Sequence, residues 1–155
     1  MSDHDASLPA TAQHDTPTTD TATTGTPSTT PTTAGPGGVR FGRVAPMFQV
    51  ADLDRALDFW VGILGFEKVF ENGDPVGFVI VERDGAEVHL DRHPTHRASS
   101  RNVAHLLVDD ANALYEHLVA HGVRIVKGIR DADYGMRTFV LADPDGNRVD
   151  VGQDL

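Results

Sequence analysis

With eight histidines, 23 acidic residues and no cysteine, this chain has imidazole and carboxylate chemistry available to it and no thiol chemistry. Disulfides, thiolate metal sites and cysteine nucleophiles are excluded. Side-chain alternation gathers the most suggestive groups. In Ala86–Asp91, residues Ala86, Val88 and Leu90 form an apolar face, and Glu87, His89 and Asp91 lie opposite. In the stretch up to Val108, Ala104 and Leu106 oppose Val103, His105 and Leu107, and near the end Val149 and Val151 oppose Arg148, Asp150 and Gly152. His89, His105 and Asp150 thus share a side and are compatible with a two-histidine, one-carboxylate metal site. The plainer reading is the wet face of a half-buried antiparallel sheet.

The other candidates have ordinary explanations. His117 and His121 stand one turn apart on a helix, a spacing that can bind metal but is commoner on a solvated surface. His93 and His96 fall in the polar link RHPTHRASSR, where solvation is expected. Ser99 and Ser100 lie in the same link without a nucleophile elbow, and no glycine-rich phosphate loop is present. Asp52 and Asp110 read as helix caps, Asp143 and Asp145 as turn formers.

The elements that must position these groups repeat. In VADLDRALDFWVGILG (Val50 to Gly65), Asp52 caps a helix. Leu53, Ala56, Leu57, Trp60, Ile63 and Leu64 make its buried stripe, and Gly65 ends it. The punctuation returns in VDDANALYEHLVAHGVRIV, with Asp110 as cap and Gly122 as stop. A strand is expected before the first helix (Val44 to Val50), with Val44, Phe48 and Val50 on one face and Pro46 at an edge, start or hinge. After that helix come FEKVF, a turn at Glu71–Pro75, GFVIVER, a hairpin at Asp84–Gly85 and AEVHLD. The second half runs from Asn102 through its helix to VRIVKGI, a turn at Asp131–Gly135, MRTFVLA, the reversal DPDGN and RVDVG. The order is βαβββ twice, with modules at about 44–91 and 102–153.

Residues 1–40 differ. Met1 to Gly38 is built of Thr, Pro, Ser, Ala, Asp and Gly, too poor in apolar side chains to offset an ordering entropy of roughly 1–2 kcal/mol per residue. A disordered Thr/Pro-rich tail is expected there, with one folded domain over 41–155. A glycosylated stalk is the other use of such composition, but no basic start and apolar core of an export signal precedes it. No stretch is apolar enough to span a membrane, and the expected address is the cytoplasm. Net charge is −10, of which the folded part keeps about −7 (19 acidic against 12 basic residues). Nucleic acid is a poor partner for such a surface, whereas a cationic ligand is drawn to it.

The doubled βαβββ plan, ALDFWVGILGF in the first helix and GMRTFVLADPDGN in the last hairpin resemble the glyoxalase/bleomycin-resistance superfamily, the vicinal oxygen chelate fold, from about Val44 to Gln153. The resemblance implies an α+β fold, with two modules forming an open cup of mixed β-sheet and helices on its outer face. Superfamily enzymes hold a divalent metal in the cup; the antibiotic-binding branch does not. The superfamily's ligand positions correspond here to Ala45, His89, Val103 and Asp150, and Ala45 and Val103 cannot ligate. His105 stands two residues, about 7 Å along a strand, from the position at Val103.

Within the superfamily, ALDFW before a glycine–phenylalanine strand, VAPMFQV and YGMRTFVLADPDGN resemble the bleomycin resistance proteins. That implies a homodimer with exchanged first strands, Pro46 at the hinge, and interface grooves sequestering a cationic glycopeptide antibiotic unmodified. No cofactor, catalytic residue or metal residue is then expected. Phe70, Tyr134 and Met136 would be stacking or apolar walls, Glu71, Asp74, Asp91 and Asp150 would meet positive groups, and His89 would bond polar atoms. Tyr134 stands where the family usually has Trp, which reduces stacking area. Two alternatives stay open: a metal-dependent lyase, isomerase, dioxygenase or antibiotic-modifying transferase, and a binding module for another small molecule.

Overall fold

The computed structural model describes Gly42–Leu155, and the expected tail over residues 1–40 lies outside the described residues. Strands β1 (Met47–Val50), β2 (Glu67–Gly73), β3 (Val76–Arg83) and β4 (Ala86–Arg92) form one sheet in the order β1-β4-β3-β2. A second sheet holds β5 (Asn102–Leu107), β6 (Arg124–Ala132), β7 (Met136–Ala142) and β8 (Arg148–Asp154) in the order β5-β8-β7-β6. β1 runs parallel to β4 and β5 parallel to β8, while the remaining pairs are antiparallel. Helices α1 (Leu53–Leu57) and α2 (Ala111–Ala120) follow the first strand of each module. This is the expected α+β architecture of two βαβββ modules.

Helix punctuation follows the sequence. The Asp52 carboxylate accepts from the backbone N–H groups of Asp54 and Arg55, and Asp110 accepts from Ala113. Gly65 and Gly122 adopt φ +71° and +69°, where a side chain would be strained. Periodicity did not reveal that α1 continues as a π-helix over Asp58–Ile63. Its wider turn is visible in the bond from Leu64 N–H to the Phe59 carbonyl at 2.9 Å. Phe59 and Trp60 are both buried there, and Trp60 meets Phe48, Phe59 and Phe66 edge to face at 5.1, 5.5 and 5.2 Å. Those separations suit rings meeting edge on.

The core draws on both modules: Phe48, Val50, Val79, Val81, Val88 and Leu90 from the first sheet, and Phe139, Leu141, Val149 and Val151 from the second. Two expectations about strand limits need correction. β1 starts at Met47, not Val44, and Val44 is 93 % exposed rather than part of the buried face. Pro46 has no N–H to donate, so the ladder opens on its carbonyl, which accepts from His89 N–H at 3.0 Å. β2 and β6 also run through the first half of their expected turns, to Gly73 and Ala132, because the cross-strand register persists to Gly73↔Val76 and Ala132↔Met136.

One polar knot joins the modules. In the DPDGN turn, Asp143 Oδ1 accepts from the N–H groups of Asp145 and Asn147, and its Oδ2 accepts from Asn147 Nδ2 at 2.9 Å. Asn147 Nδ2 also donates to the Gln49 carbonyl of β1 at 2.9 Å. Asp145 Oδ1 accepts from Ala51 N–H at 3.0 Å and from Arg55 at 2.6 Å. His96, expected to be solvated, instead donates through Nε2 to Asn147 Oδ1 at 2.9 Å. The turn therefore holds the start of α1 from ninety residues away. Among the described residues no helix is long and apolar enough to cross a membrane.

Candidate functional site

The cup face of the first sheet is the one turned from the core. Across it the register aligns Met47, His89, Ile80 and Phe70 in one row and Gln49, Asp91, Phe78 and Asn72 in the next. Phe70 reaches this face through a β-bulge. Lys68 pairs with Val81 of the core face, and after the irregularity Phe70 pairs with Ile80 of the opposite one. Phe70 is half exposed, and its ring meets Phe78 at 6.2 Å, which in turn meets His89 at 5.4 Å, both edge on. An aromatic ladder thus crosses three strands, with Asp91 beside Phe78.

His89 is tied to a charged relay. Its Nε2 donates to Glu87 Oε1 at 2.7 Å, and Arg43 pairs with both Glu87 and Glu82. The His89 hydrogen bond above all holds Glu87 below the usual carboxylate range; burial opposes it, and the hydrogen bond and charge of Arg43 lower it further.

On the second sheet the row is His105, Asp150, Val140 and Lys127, followed by Leu107, Gly152, Thr138 and Arg130. His105 Nδ1 donates to Asp150 Oδ2 at 2.8 Å. The Thr138 hydroxyl lies 3.0 Å from Asp150 Oδ1 and 2.7 Å from the Val151 carbonyl, one proton serving two acceptors. Met136 and His105 close over Gly152, where a Cβ would lie 2.5 Å from the Met136 methyl and 3.0 Å from His105 Nε2.

Of the residues proposed from sequence, the first sheet brings together Phe70, His89 and Asp91, and the second Met136 and Asp150. Tyr134 is 65 % exposed in the turn entering Met136. Asp74 is exposed at the β2–β3 turn, two residues beyond Asn72 of the Phe78 row. Glu71 pairs across from core-facing Val79 and is bound to Lys68 at 2.6 Å, lining a cavity of about 430 Å3 beside Asp52 and Leu57 on the helix side. It does not join the cup. Sequence reading passed over Phe78, Glu87, Thr138 and Gly152 as site members. Phe78 and Thr138 could have been found by continuing the alternation used for His89 and Asp150.

A larger cleft of about 1030 Å3 lies between the modules. Phe48, Trp60, Leu64 and Phe66 wall one side and Leu106, Val108 and Leu114 the other, with Glu87 and His105 at its border. Of the histidine candidates read from sequence, His105 and His117 line it, and the expected ligand-binding residues do not.

The donor set does not fit a catalytic divalent metal, which usually needs three protein ligands. Ala45 and Val103 offer none, His89 is engaged with Glu87, and His105 is engaged with Asp150. Among the described residues no three His, Asp or Glu side chains converge. The His117 and His121 rings lie 4.2 Å apart and tilted by 38°, but each donates a ring N–H to a carbonyl, of Ile63 and of His117 respectively.

Comparison with known proteins places these features in context. A family model described as the Glyoxalase/Bleomycin resistance protein/Dioxygenase superfamily matches residues 40–151. A superfamily member from Sphaerobacter thermophilus is 27 % identical, with a TM-score of 0.59 over 72 % of this chain and 98 % of that one. The bleomycin-binding protein of bleomycin-producing Streptomyces verticillus, solved with copper(II)-bleomycin, is 26 % identical, with a TM-score of 0.60 over 76 % and 99 %. The bleomycin resistance determinant encoded on transposon Tn5 is 22 % identical, with a TM-score of 0.61 over 74 % and 98 %. No curated protein matches the chain.

Proposed function

Because the chain belongs to the Glyoxalase/Bleomycin resistance protein/Dioxygenase superfamily, we propose that it binds and sequesters a cationic antibiotic of the bleomycin type, leaving it chemically unchanged. The observation that carries this reading is the ladder Phe70–Phe78–His89 flanked by carboxylates. Planar cationic groups gain from aromatic faces together with nearby negative charge, and the surplus of acidic residues acts in the same direction at longer range. The structural likeness to the bleomycin-binding protein of Streptomyces verticillus supports the choice of ligand class.

The working form is a homodimer in the cytoplasm, acting without a cofactor, with the first strands exchanged between subunits and Pro46 at the hinge. Val44, 93 % exposed beside that proline, is an apolar side chain such an exchange would cover. Calorimetric titration of chelator-treated protein with metal-free bleomycin tests the reading. Saturable binding near one drug per chain, with the drug recovered intact, is the expected result. No detectable heat would remove bleomycin as the ligand and leave a module for a different small molecule.

A further inference from the structure

We propose that His105 is the hydrogen-bond anchor of the ligand site, and that Asp150 serves it as a positioning residue instead of meeting the ligand itself. The inference rests on the antibiotic-binding reading and assigns the chemistry of one contact within it. Both oxygens of Asp150 already have partners, Oδ2 in His105 Nδ1–H and Oδ1 in the Thr138 hydroxyl. A carboxylate accepting Nδ1–H fixes the tautomer and leaves Nε2 as a bare acceptor. That nitrogen stands over Gly152, close enough that any β-carbon there would crowd it. The His105 side chain is 43 % exposed and that of Asp150 25 %, so the imidazole is the member of the pair open to a ligand.

The ligand group that fits is an N–H donor, an amide or a protonated amine, because a bare imidazole nitrogen backed by an anion accepts and does not donate. In the first module the register position matching His105 is Met47, which offers no ring nitrogen, and the neighbouring His89, whose Nε2 donates to Glu87, is less open, its side chain 24 % exposed. The two halves of the cup therefore differ in chemistry, with an aromatic ladder in one and an acceptor station in the other.

Nitrogen-15 NMR of the histidine ring, with metal-free bleomycin and then spermidine as probes, tests the proposal. In the free protein His105 should be found as the Nδ1–H tautomer, becoming a mixture in Asp150→Ala. Bleomycin should shift the Nε2 resonance, and His105→Phe should weaken its binding roughly tenfold or more, the scale of one hydrogen bond to a charged group. His105→Gln, which keeps an acceptor, should recover part of that loss, and Gly152→Ala should weaken binding with His105 intact. An Nε2–H tautomer in the free protein overturns the proposal whatever binds. Unchanged bleomycin affinity in His105→Phe overturns it while sparing the sequestration reading. If bleomycin does not bind but spermidine moves Nε2, the sequestration reading falls and the anchor stands. If neither probe moves it, the anchor falls.

Discussion

Replacing Asn147 by alanine should separate the two modules' shared knot and leave both hydrophobic faces unchanged. Asn147 is 3 % exposed and Asp143 4 %. The truncation removes the donor to Asp143 Oδ2, the donor to the Gln49 carbonyl and the acceptor for His96. A buried acceptor left without a partner costs about 1–3 kcal/mol, and each further hydrogen bond about 1 kcal/mol. The Gln49 and His96 groups can recover water, so the total is about 2–4 kcal/mol. For a body of this size that lowers Tm by roughly 10 °C.

The loss should also depend on pH. Burial raises the Asp143 pKa above the ordinary carboxylate value, partly offset by its hydrogen bonds from Asn147. A raised folded-state value means that protonation favours the fold, a contribution complete below the ordinary carboxylate pKa and lost as pH rises through the folded one. Without Asn147 the folded value moves higher still, so the stability gap between variant and wild type should be widest at neutral pH and narrow on acidification. Urea unfolding followed by circular dichroism at pH 7 and near pH 4 measures both gaps. A loss below about 0.5 kcal/mol at pH 7, or a gap independent of pH, would refute the role given to this knot.

Three smaller effects should follow. Asp52→Ala removes the cap at Asp54 and Arg55 and should cost about 1 kcal/mol in urea unfolding, with Asp52→Asn largely harmless. Phe70→Ala should change Tm little, since Phe70 is half exposed, yet weaken bleomycin binding several-fold in calorimetry through loss of the ring set edge on against Phe78. Arg137 holds Asp131 below the ordinary carboxylate range through a hydrogen bond at 2.7 Å. The stabilisation is therefore present above the ordinary value and lost as pH falls through the depressed one. Arg137→Ala should lower Tm at neutral pH in dilute salt, and the difference should vanish in acid.

Much of this architecture is legible in the amino-acid order because alternation and capping are local. Asp52, Gly65, Asp110 and Gly122 mark their helices, and parity alone puts His89, Asp91 and Asp150 on the faces they occupy. What escapes is whatever depends on register between strands. The bulge after Lys68 carries Phe70 to the cup face, whereas uninterrupted alternation from buried Phe66 would have turned it inward. The same limit applies to His105. Parity puts it on the side of Asp150, but only the parallel pairing of β5 with β8, through an irregularity between Asn102 and Ala104, sets the imidazole and the carboxylate side by side in one row. The π-helix is hidden for a different reason: one inserted residue alters the phase of the stripe without removing its apolar members.

Trp60 is the chain's single tryptophan, 2 % exposed and caged by three phenylalanines, with no hydrogen-bond partner for its Nε1 among the described residues. The native protein therefore carries its one indole fluorophore in an apolar solvent of side chains, and under excitation selective for tryptophan its emission should lie well to the blue of the unfolded chain. Its position adds a second use. Trp60 walls the cleft between the modules and lies on the side of the first sheet away from Phe78 and His89. A ligand seated on the aromatic ladder should leave the spectrum unaltered, whereas one lodged in the cleft should quench or shift it, so a single emission scan tells the two modes of occupancy apart.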